Sequence, residues 1–200
     1  MKKRVGSERN FNVFLILVIA ASFLLFFFNN FPMTGYATEG TTTSNVSIQK
    51  YLAIAFGSNL SSGIYFGNVA TLPATDINAT HNNDSSTYPS GTTYTIDVST
   101  DSNTHIDFCI RANAGLTSPA LDVIGLANET YSSSNLTNST HPMLSNQSSI
   151  TTSYVKAPST DILPGNSSYW RFWLDVPAAQ PSGDYNNTVS FKGVVNGLSC

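Results

Sequence analysis

The sequence of 200 residues has few charged side chains: Asp, Glu, Lys and Arg together make up only 10% of it. After residue 10 there are five bases and eleven acids, which gives this part of the chain a net charge of −6. Proteins that bind nucleic acid need a basic patch to neutralise phosphates. The charge balance therefore excludes nucleic acid as a partner.

The sequence also lacks the motifs of the common enzyme classes. It has no G-x-S-x-G, no P-loop, no G-x-G-x-x-G and no H-E-x-x-H, so it offers no nucleophile elbow, phosphate cradle or zinc pair. Its three histidines are scattered and are expected on the surface or in loops: His81, His105 and His141. We therefore expect a protein that is not an enzyme and needs no cofactor.

One stretch of the chain is rich in oxygen ligands. Carboxylate and amide oxygens in a turn between two strands can bind calcium, although the spacing here is not that of an EF-hand. Asp and Asn are also expected in any turn, since their side chains hydrogen-bond to the nearby backbone. The weak calcium candidates are Asp97, Asp101, Asn103 and Asp107.

Cysteine is scarce, and the only two are Cys109 and Cys200. An even number of cysteines outside the cytoplasm favours a disulfide. Two free thiols or bridges between chains are the alternatives. An intrachain bond would fasten the C-terminal tail across the strand that carries Cys109.

A long apolar run lies near the N-terminus, at residues 11–28. As a helix it spans roughly 27 Å, close to the thickness of a bilayer core. Four bases precede it and none follows until Lys50, which predicts a cytoplasmic N-terminus and an extracellular C-terminal domain. The expected segments are a basic cytoplasmic segment at 1–10, a transmembrane anchor or signal h-region at 11–31, a flexible spacer at 32–44 and an extracytoplasmic domain at 45–200.

Three fates of this segment are open. It is retained as the cell-membrane anchor, or it is cleaved after Ala37, where Gly35-Tyr36-Ala37 has the small-x-small pattern of a signal peptidase site and would release a secreted domain. The stretch Lys3-Arg4-Val5-Gly6 also resembles the leader of type IV pilins and archaellins. In those families apolar residues follow the glycine at once, whereas here Ser7-Glu8-Arg9-Asn10 intervene.

The outer part of the chain alternates apolar and polar residues in short runs with turn signals between them. This period of two is typical of half-buried strands, and no helical period appears after residue 30. The pattern predicts strands at 46–56, 64–69, 92–98, 105–111, 121–126, 150–155, 169–176 and 185–195. Such a series favours an antiparallel β-sandwich.

Two stretches are too polar to belong to that core. Residues 71–91 are predicted to form a long loop, and residues 127–149 an insertion loop or mobile flap. In the strand at 169–176, Trp170 is expected in the core. Trp173 lies on the other face, where it is either an exposed sugar-stacking platform or, as we favour, covered by a second apolar layer or by the C-terminal tail.

Asn-x-Ser/Thr sequons are far more frequent than chance predicts. About four are expected from the composition after residue 44, and ten are present. Most lie in predicted loops or on outer strand faces, so we expect N-glycosylation outside the cell. The acceptors are Asn45, Asn59, Asn78, Asn83, Asn128, Asn135, Asn138, Asn146, Asn166 and Asn186.

The stretch from Asp175 to Tyr185, DVPAAQPSGDY, followed by Val189, resembles the last turn and strand of immunoglobulin-like sandwich domains in prokaryotic cell-surface proteins. The chain as a whole resembles small archaeal surface proteins. In this signature Pro181 and Gly183 build the turn, and the Tyr185 hydroxyl can bind a loop carbonyl. The resemblance implies an all-β, immunoglobulin-like fold.

Together these observations predict a membrane-tethered, N-glycosylated cell-surface protein with a structural or adhesive role. Its partners would be the membrane, through residues 11–28, and envelope components or further copies of itself. One alternative is a subunit of an extracellular filament, built by strand addition of residues 45–56 or from a pilin-like precursor. Another is a carbohydrate-binding module.

Overall fold

The computed structural model describes residues 5–30, 42–84, 91 and 94–200. It divides the chain into two compact units, Met1–Ser47 and Ile48–Cys200. The first contains helix α1, Val5–Asn30. Among the described residues, no helix is found whose length and apolar content together suffice for crossing a membrane. The anchor assigned to residues 11–28 stays a prediction, and most of the predicted spacer lies outside the described residues.

Most of the regular secondary structure described in the second unit is β-strand, which confirms the predicted all-β class. One short helix, α2, spans Ser58–Ser62, and single 3-10 turns lie at Leu126–Asn128 and Leu144–Asn146. The strands are β1 Ile54–Phe56, β2 Ala74–Asn78, β3 Tyr94–Val98, β4 Ile106–Ala112, β5 Leu116–Thr117, β6 Val123–Ile124, β7 Glu129–Ser134, β8 Ser148–Ser149, β9 Val155–Lys156, β10 Ser167–Val176 and β11 Val189–Val195.

All strand pairs are antiparallel. Sheet A has six strands in the order β1-β3-β10-β7-β8, and β2 also pairs with β10. Sheet B has three strands in the order β11-β4-β9, and β5 pairs with β6 in a small hairpin. Strand β10 is central because both of its edges are paired, with β7 along one edge and β2 and β3 sharing the other.

Side chains from both larger sheets meet in one hydrophobic core. Sheet A contributes Trp170 and Phe172, and sheet B contributes Phe108 and Phe191. The ring of Trp170 lies edge-on to Phe191 at 5.1 Å and to Phe108 at 6.3 Å between centroids, which is a favourable aromatic geometry. A smaller apolar cluster contains residues from both the β5–β6 hairpin and the end of β10.

The strongest alternating runs became strands, as predicted. The runs at 92–98, 105–111, 169–176 and 185–195 contain β3, β4, β10 and β11. The structure differs at residues 64–69, which form no regular strand, and at residues 71–91, where β2 lies within the predicted loop. The cause is pairing: β2 binds the free edge that β10 offers beyond β3, so its backbone is ordered without a strong apolar pattern.

The polar segment 127–149 also differs from its prediction as an insertion loop. Its first part is β7, which pairs with β10 over six residues. Ser132 and Ser133 are buried in this strand, and the Ser133 hydroxyl accepts a hydrogen bond from the Ser159 N–H at 2.9 Å. A satisfied hydroxyl costs little to bury, so a serine-rich strand can occupy the sheet interior.

The N-terminal strand is shorter than predicted. Of residues 46–56, only Ile54–Phe56 pair with β3. Farther toward the N-terminus the segment is attached by backbone and side-chain hydrogen bonds. The Ser99 N–H donates to the Ala53 carbonyl at 2.9 Å and the Asn103 N–H donates to the Tyr51 carbonyl at 3.1 Å. In return, Ser102 Oγ accepts from the Ala53 N–H at 3.0 Å and Asn103 Oδ1 accepts from the Tyr51 N–H at 2.7 Å.

Candidate functional site

The disulfide between Cys109 and Cys200 is present, as predicted, with 6.0 Å between the two Cα atoms. Cys109 lies in β4, and its side chain points away from the core residues Phe108 and Ile110, as the alternation predicts. Lys192 Nζ donates a hydrogen bond to the Cys200 carbonyl at 2.8 Å. The C-terminal tail is thus held against the outer face of sheet B.

Asp107 is the most heavily engaged carboxylate of this face. It is buried and accepts hydrogen bonds from the Asp161 and Gly197 N–H groups, from Lys156 Nζ and from Asn196 Nδ2, at 2.8–2.9 Å. Burial alone would raise the pKa of Asp107, but these hydrogen bonds outweigh it and hold the pKa well below its usual range. The carboxylate therefore joins β4 to β9 and to the tail.

The weak calcium candidates are not brought together at a common site. Asp107 has its four donors, Asp97 accepts a hydrogen bond from Ser167 Oγ at 2.6 Å, and Asn103 holds the backbone of Tyr51 and of Gln49. Within the described ranges there is no cluster of three or more His, Cys, Asp or Glu side chains suited to a metal ion. Three of the four candidates thus have protein partners that explain their positions.

Arg171 is a site residue that the sequence analysis missed. It lies in β10 between two core residues, so its side chain points to the outer face of sheet A, where it is only 1% exposed. Its guanidinium donates to four backbone carbonyls, at 2.6–3.2 Å: those of Asn82, Asn83, Asn138 and Pro142. Burial lowers the pKa of Arg171, an effect that the charge of Asp84 opposes.

These four bonds fasten two loops, residues 79–84 and 135–147, over the outer face of sheet A. The second loop is part of the segment predicted as a flap, and Arg171 pins it in place. Trp173 lies on the same face and is 1% exposed, so it is covered, as predicted, and is not a sugar-stacking platform. The cover consists of these polar loops and not of the predicted apolar layer or tail. The sequence signal for this site was a charged residue inside the apolar run YWRFWL. A single cation in such a run needs hydrogen-bond acceptors that are buried with it.

The sequons differ in the environment of their asparagines. Six are exposed: Asn45, Asn78, Asn135, Asn146, Asn166 and Asn186. Among these, Asn135 donates its amide to the Thr160 carbonyl at 2.7 Å and Asn78 donates to Asp84 at 3.4 Å. The other four asparagines are half-buried. None of the ten lies in β4, β9 or β11.

A polar, open cavity of about 410 Å³ lies beside the start of β10. Tyr169, Asp161, Asn135 and Asn166 are among its lining residues. Asp161 also pairs with His105 at 2.7 Å, but both side chains are largely exposed, so this pair contributes little to stability. The cavity brings together two predicted glycan acceptors that are far apart in the sequence.

Comparisons with known proteins add no relative from which a role could be transferred. No family model, no curated protein and no solved structure matches this chain.

Proposed function

We propose that this chain is a membrane-tethered, N-glycosylated protein of the cell surface with a structural or adhesive role. The observation that carries the proposal is the Cys109–Cys200 disulfide. Disulfides persist in oxidising compartments and are rare in the cytosol. The β-domain is therefore assigned to the outside of the cell.

The apolar N-terminal segment supports the tether. Residues 11–28 contain one strongly polar side chain, Asn12, and lie in helix α1. Its large apolar side chains that the structure describes are exposed, so they need a cover such as lipid: Phe11, Val13, Phe14, Leu15, Ile16, Leu17, Val18, Ile19, Phe23, Leu24, Leu25 and Phe26. The preceding bases orient the segment with the N-terminus in the cytoplasm.

The surface of the β-domain supports glycosylation. Exposed sequons such as those of Asn45, Asn146 and Asn186 leave room for an attached sugar without rearrangement. Carbohydrate on these residues would enlarge and solubilise a domain whose charged fraction is low.

We also propose that the β-domain is an immunoglobulin-like sandwich. Two features support this assignment: sheets A and B share one core, and the Tyr185 hydroxyl donates to the Pro181 carbonyl at 2.8 Å. The second feature is a tyrosine hydroxyl bound to the backbone a few residues upstream, a contact that immunoglobulin domains make at their tyrosine corner.

The test is protease treatment of intact cells that express the full chain with an N-terminal tag. The β-domain should be digested while the tag stays protected, because the membrane would separate them. Digestion of the tag in sealed cells, or protection of both parts, would contradict the proposal. The same cells opened with detergent serve as the control, since both parts should then be cut.

The mass of the protein from these cells tests glycosylation. Asn186→Gln should remove the mass of one glycan, whereas Asn68→Gln should not, because Asn68 is exposed but belongs to no sequon. Equal masses for the Asn186 variant and the unmodified sequence would exclude Asn186 as an acceptor.

A further inference from the structure

Strand β11 is the edge of sheet B, and its outer side is unpaired in the described part of the chain. On its other side the Asn196 N–H donates to the carbonyl of His105, the residue opposite it in register, at 2.9 Å. In an antiparallel ladder such pairs recur at every second residue, so the N–H and C=O groups of Phe191 and Gly193 point to the free edge.

This edge lacks the devices that natural proteins use against strand pairing. Such edges are usually short, bulged, interrupted by proline or lined with charge. Strand β11 is seven residues long, contains no proline, and pairs with β4 in continuous register. Its single charge, Lys192, points to the outer face of the sheet toward Cys200 and leaves the inner side of the edge apolar.

The same molecule presents an exposed segment of matching character, the N-terminal arm at residues 42–50, which is held near its end by a hydrogen bond from Asn103 Nδ2 to the Gln49 carbonyl at 2.9 Å. The arm is exposed and has no regular secondary structure. Val46 and Ile48 are 87% and 79% exposed, and their spacing of two places both on one face of an extended strand. Asn45 and Ser47 would lie on the opposite face, so a glycan on Asn45 would point away from the apolar side.

We propose that the arm of a second copy of this chain pairs with the free edge of β11 and extends sheet B by one strand. Backbone groups of Phe191 and Gly193 would be satisfied, and Val46 and Ile48 would continue the apolar inner face beside Phe191. Six arm residues reach about 20 Å, close to the length of β11. The occupant is a copy of this chain because Val46 and Ile48 are left exposed in the arm, and pairing with β11 of a second copy would cover them.

The residues that follow the arm, Leu52 to Phe56, stay in their own domain. Leu52 and Ile54 pack beside Gly193, where an added Cβ would lie 3.3 Å from Ile54 Cγ2. Gln49 is also held in its own domain by Asn103, so the exchange concerns residues before Gln49 and leaves β1 in place. It differs in this respect from donation of the whole segment 45–56, which the sequence analysis considered.

Strand addition would be the way in which the chain fulfils the structural role proposed above, and its biological meaning depends on that proposed role. If each copy gives its arm to the copy from which it receives one, the result is a closed dimer. If the exchange runs in one direction, the copies form a filament. Either product contains the same arm–β11 contact.

The experiment measures association of the full chain in detergent by size exclusion with light scattering, from 1 to 100 µM. We expect an assembly of at least two copies. The double variant Val46→Lys/Ile48→Lys should raise the apparent dissociation constant at least tenfold, because it removes the apolar side of the arm. The matched control is Leu136→Lys/Leu144→Lys, which replaces two exposed leucines elsewhere and should associate normally.

Mixtures of chains that each carry one added cysteine, beside the Cys109–Cys200 pair, locate the contact. A chain with Ser47→Cys should form an intermolecular disulfide with a chain that carries Ser190→Cys or Lys192→Cys, since these side chains share the outer face. A chain with Ser62→Cys, on the exposed side of α2, is the control partner and should not react.

Three results would overturn the inference: a monomer at 100 µM, an assembly that the arm variant does not weaken, or cross-linking no greater than that of the Ser62 control. An assembly held by helix α1 alone would give the second result. None of these outcomes depends on protease protection in cells, so failure of the inference and failure of the surface assignment are separable.

Discussion

The outer faces of sheets A and B differ in how each is covered. On sheet A, Arg171 binds four carbonyls and holds two loops over Trp173. On sheet B, a single covalent bond and the Asp107 carboxylate hold only a short tail, and the edge of β11 stays open. Polar loops cover the outer face of sheet A, whereas a short tail lies on the outer face of sheet B.

The sequons follow the same division. All ten lie outside the strands of sheet B, several in the loops that cover or flank sheet A. Sheet B instead carries bases, with Arg111 and Lys192 both over the ring of Tyr154, at 4.7 and 5.8 Å from its centroid. If the acceptors are used, glycans would crowd sheet A and leave sheet B accessible.

The largest expected effect comes from removing the anchor of sheet A. Arg171→Met keeps the length of the side chain but leaves four buried carbonyls without a donor, so we expect a loss of roughly 3–5 kcal/mol in the free energy of unfolding. Urea titration would measure the loss, and cleavage within residues 135–147 should become faster. Arg111→Met, at an exposed position, is the control. A loss below about 1 kcal/mol would show that the loops are held by other contacts.

Removal of the Cys109–Cys200 disulfide should lower the free energy of unfolding by a slightly smaller amount. Cys109→Ser with Cys200→Ser removes the closure of a loop of 91 residues, for which chain entropy predicts about 4 kcal/mol and measured losses run from about 2 to 5. Thermal unfolding with and without reductant checks this: reductant should lower the melting temperature of the parent chain to that of the variant. If the parent is insensitive to reductant while its thiols react, the bond contributes nothing.

The smallest expected effect is a difference between the two sheets in their response to acid. The folded pKa of Asp107 lies below its unfolded value of 3.8, so its contribution is present above that value and is lost as pH falls. Burial raises the pKa of Glu129 in sheet A, a shift that the hydrogen bond from Asn187 opposes. Protonation of Glu129 therefore costs less in the folded state, and acid relieves sheet A while it weakens sheet B.

Stability measured between pH 3 and 6 tests this contrast. Asp107→Asn should lower stability at pH 6 by about 2 kcal/mol, because hydrogen bonds to a charged acceptor are lost, and should flatten the acid decline. Glu129→Gln should leave that decline in place. An unchanged acid profile in the Asp107 variant would assign the decline to other carboxylates.

The sequence analysis correctly predicted the strands in which every second side chain is apolar and buried. Strands β4 and β10 place apolar side chains on the core face at every second residue, so the pattern and the structure agree. The disulfide was also predictable, because the chain has only two cysteines and one of them lies in a strong strand.

The rest depends on contacts between distant residues. Strand β7 carries buried serines, and hydrogen-bond partners such as Ser159 make their burial possible. Because these partners are distant in sequence, no local pattern predicts the strand. The role of Arg171 depends on carbonyls 29 to 89 residues away, which only the assembled sheet brings within reach. A buried polar side chain with distant hydrogen-bond partners is therefore harder to predict from sequence than a strand with a weak apolar pattern.

The position of the disulfide also determines how the β-domain would respond to a pulling force. A load applied between the N-terminal arm and Cys200 passes through the Cys109–Cys200 bond and bypasses the intervening chain, residues 110–199. At about 3.4 Å per residue, roughly 300 Å of extension is removed. Only the chain before Cys109 could still lengthen, so oxidation of the two thiols would sharply shorten the distance over which the domain extends under load.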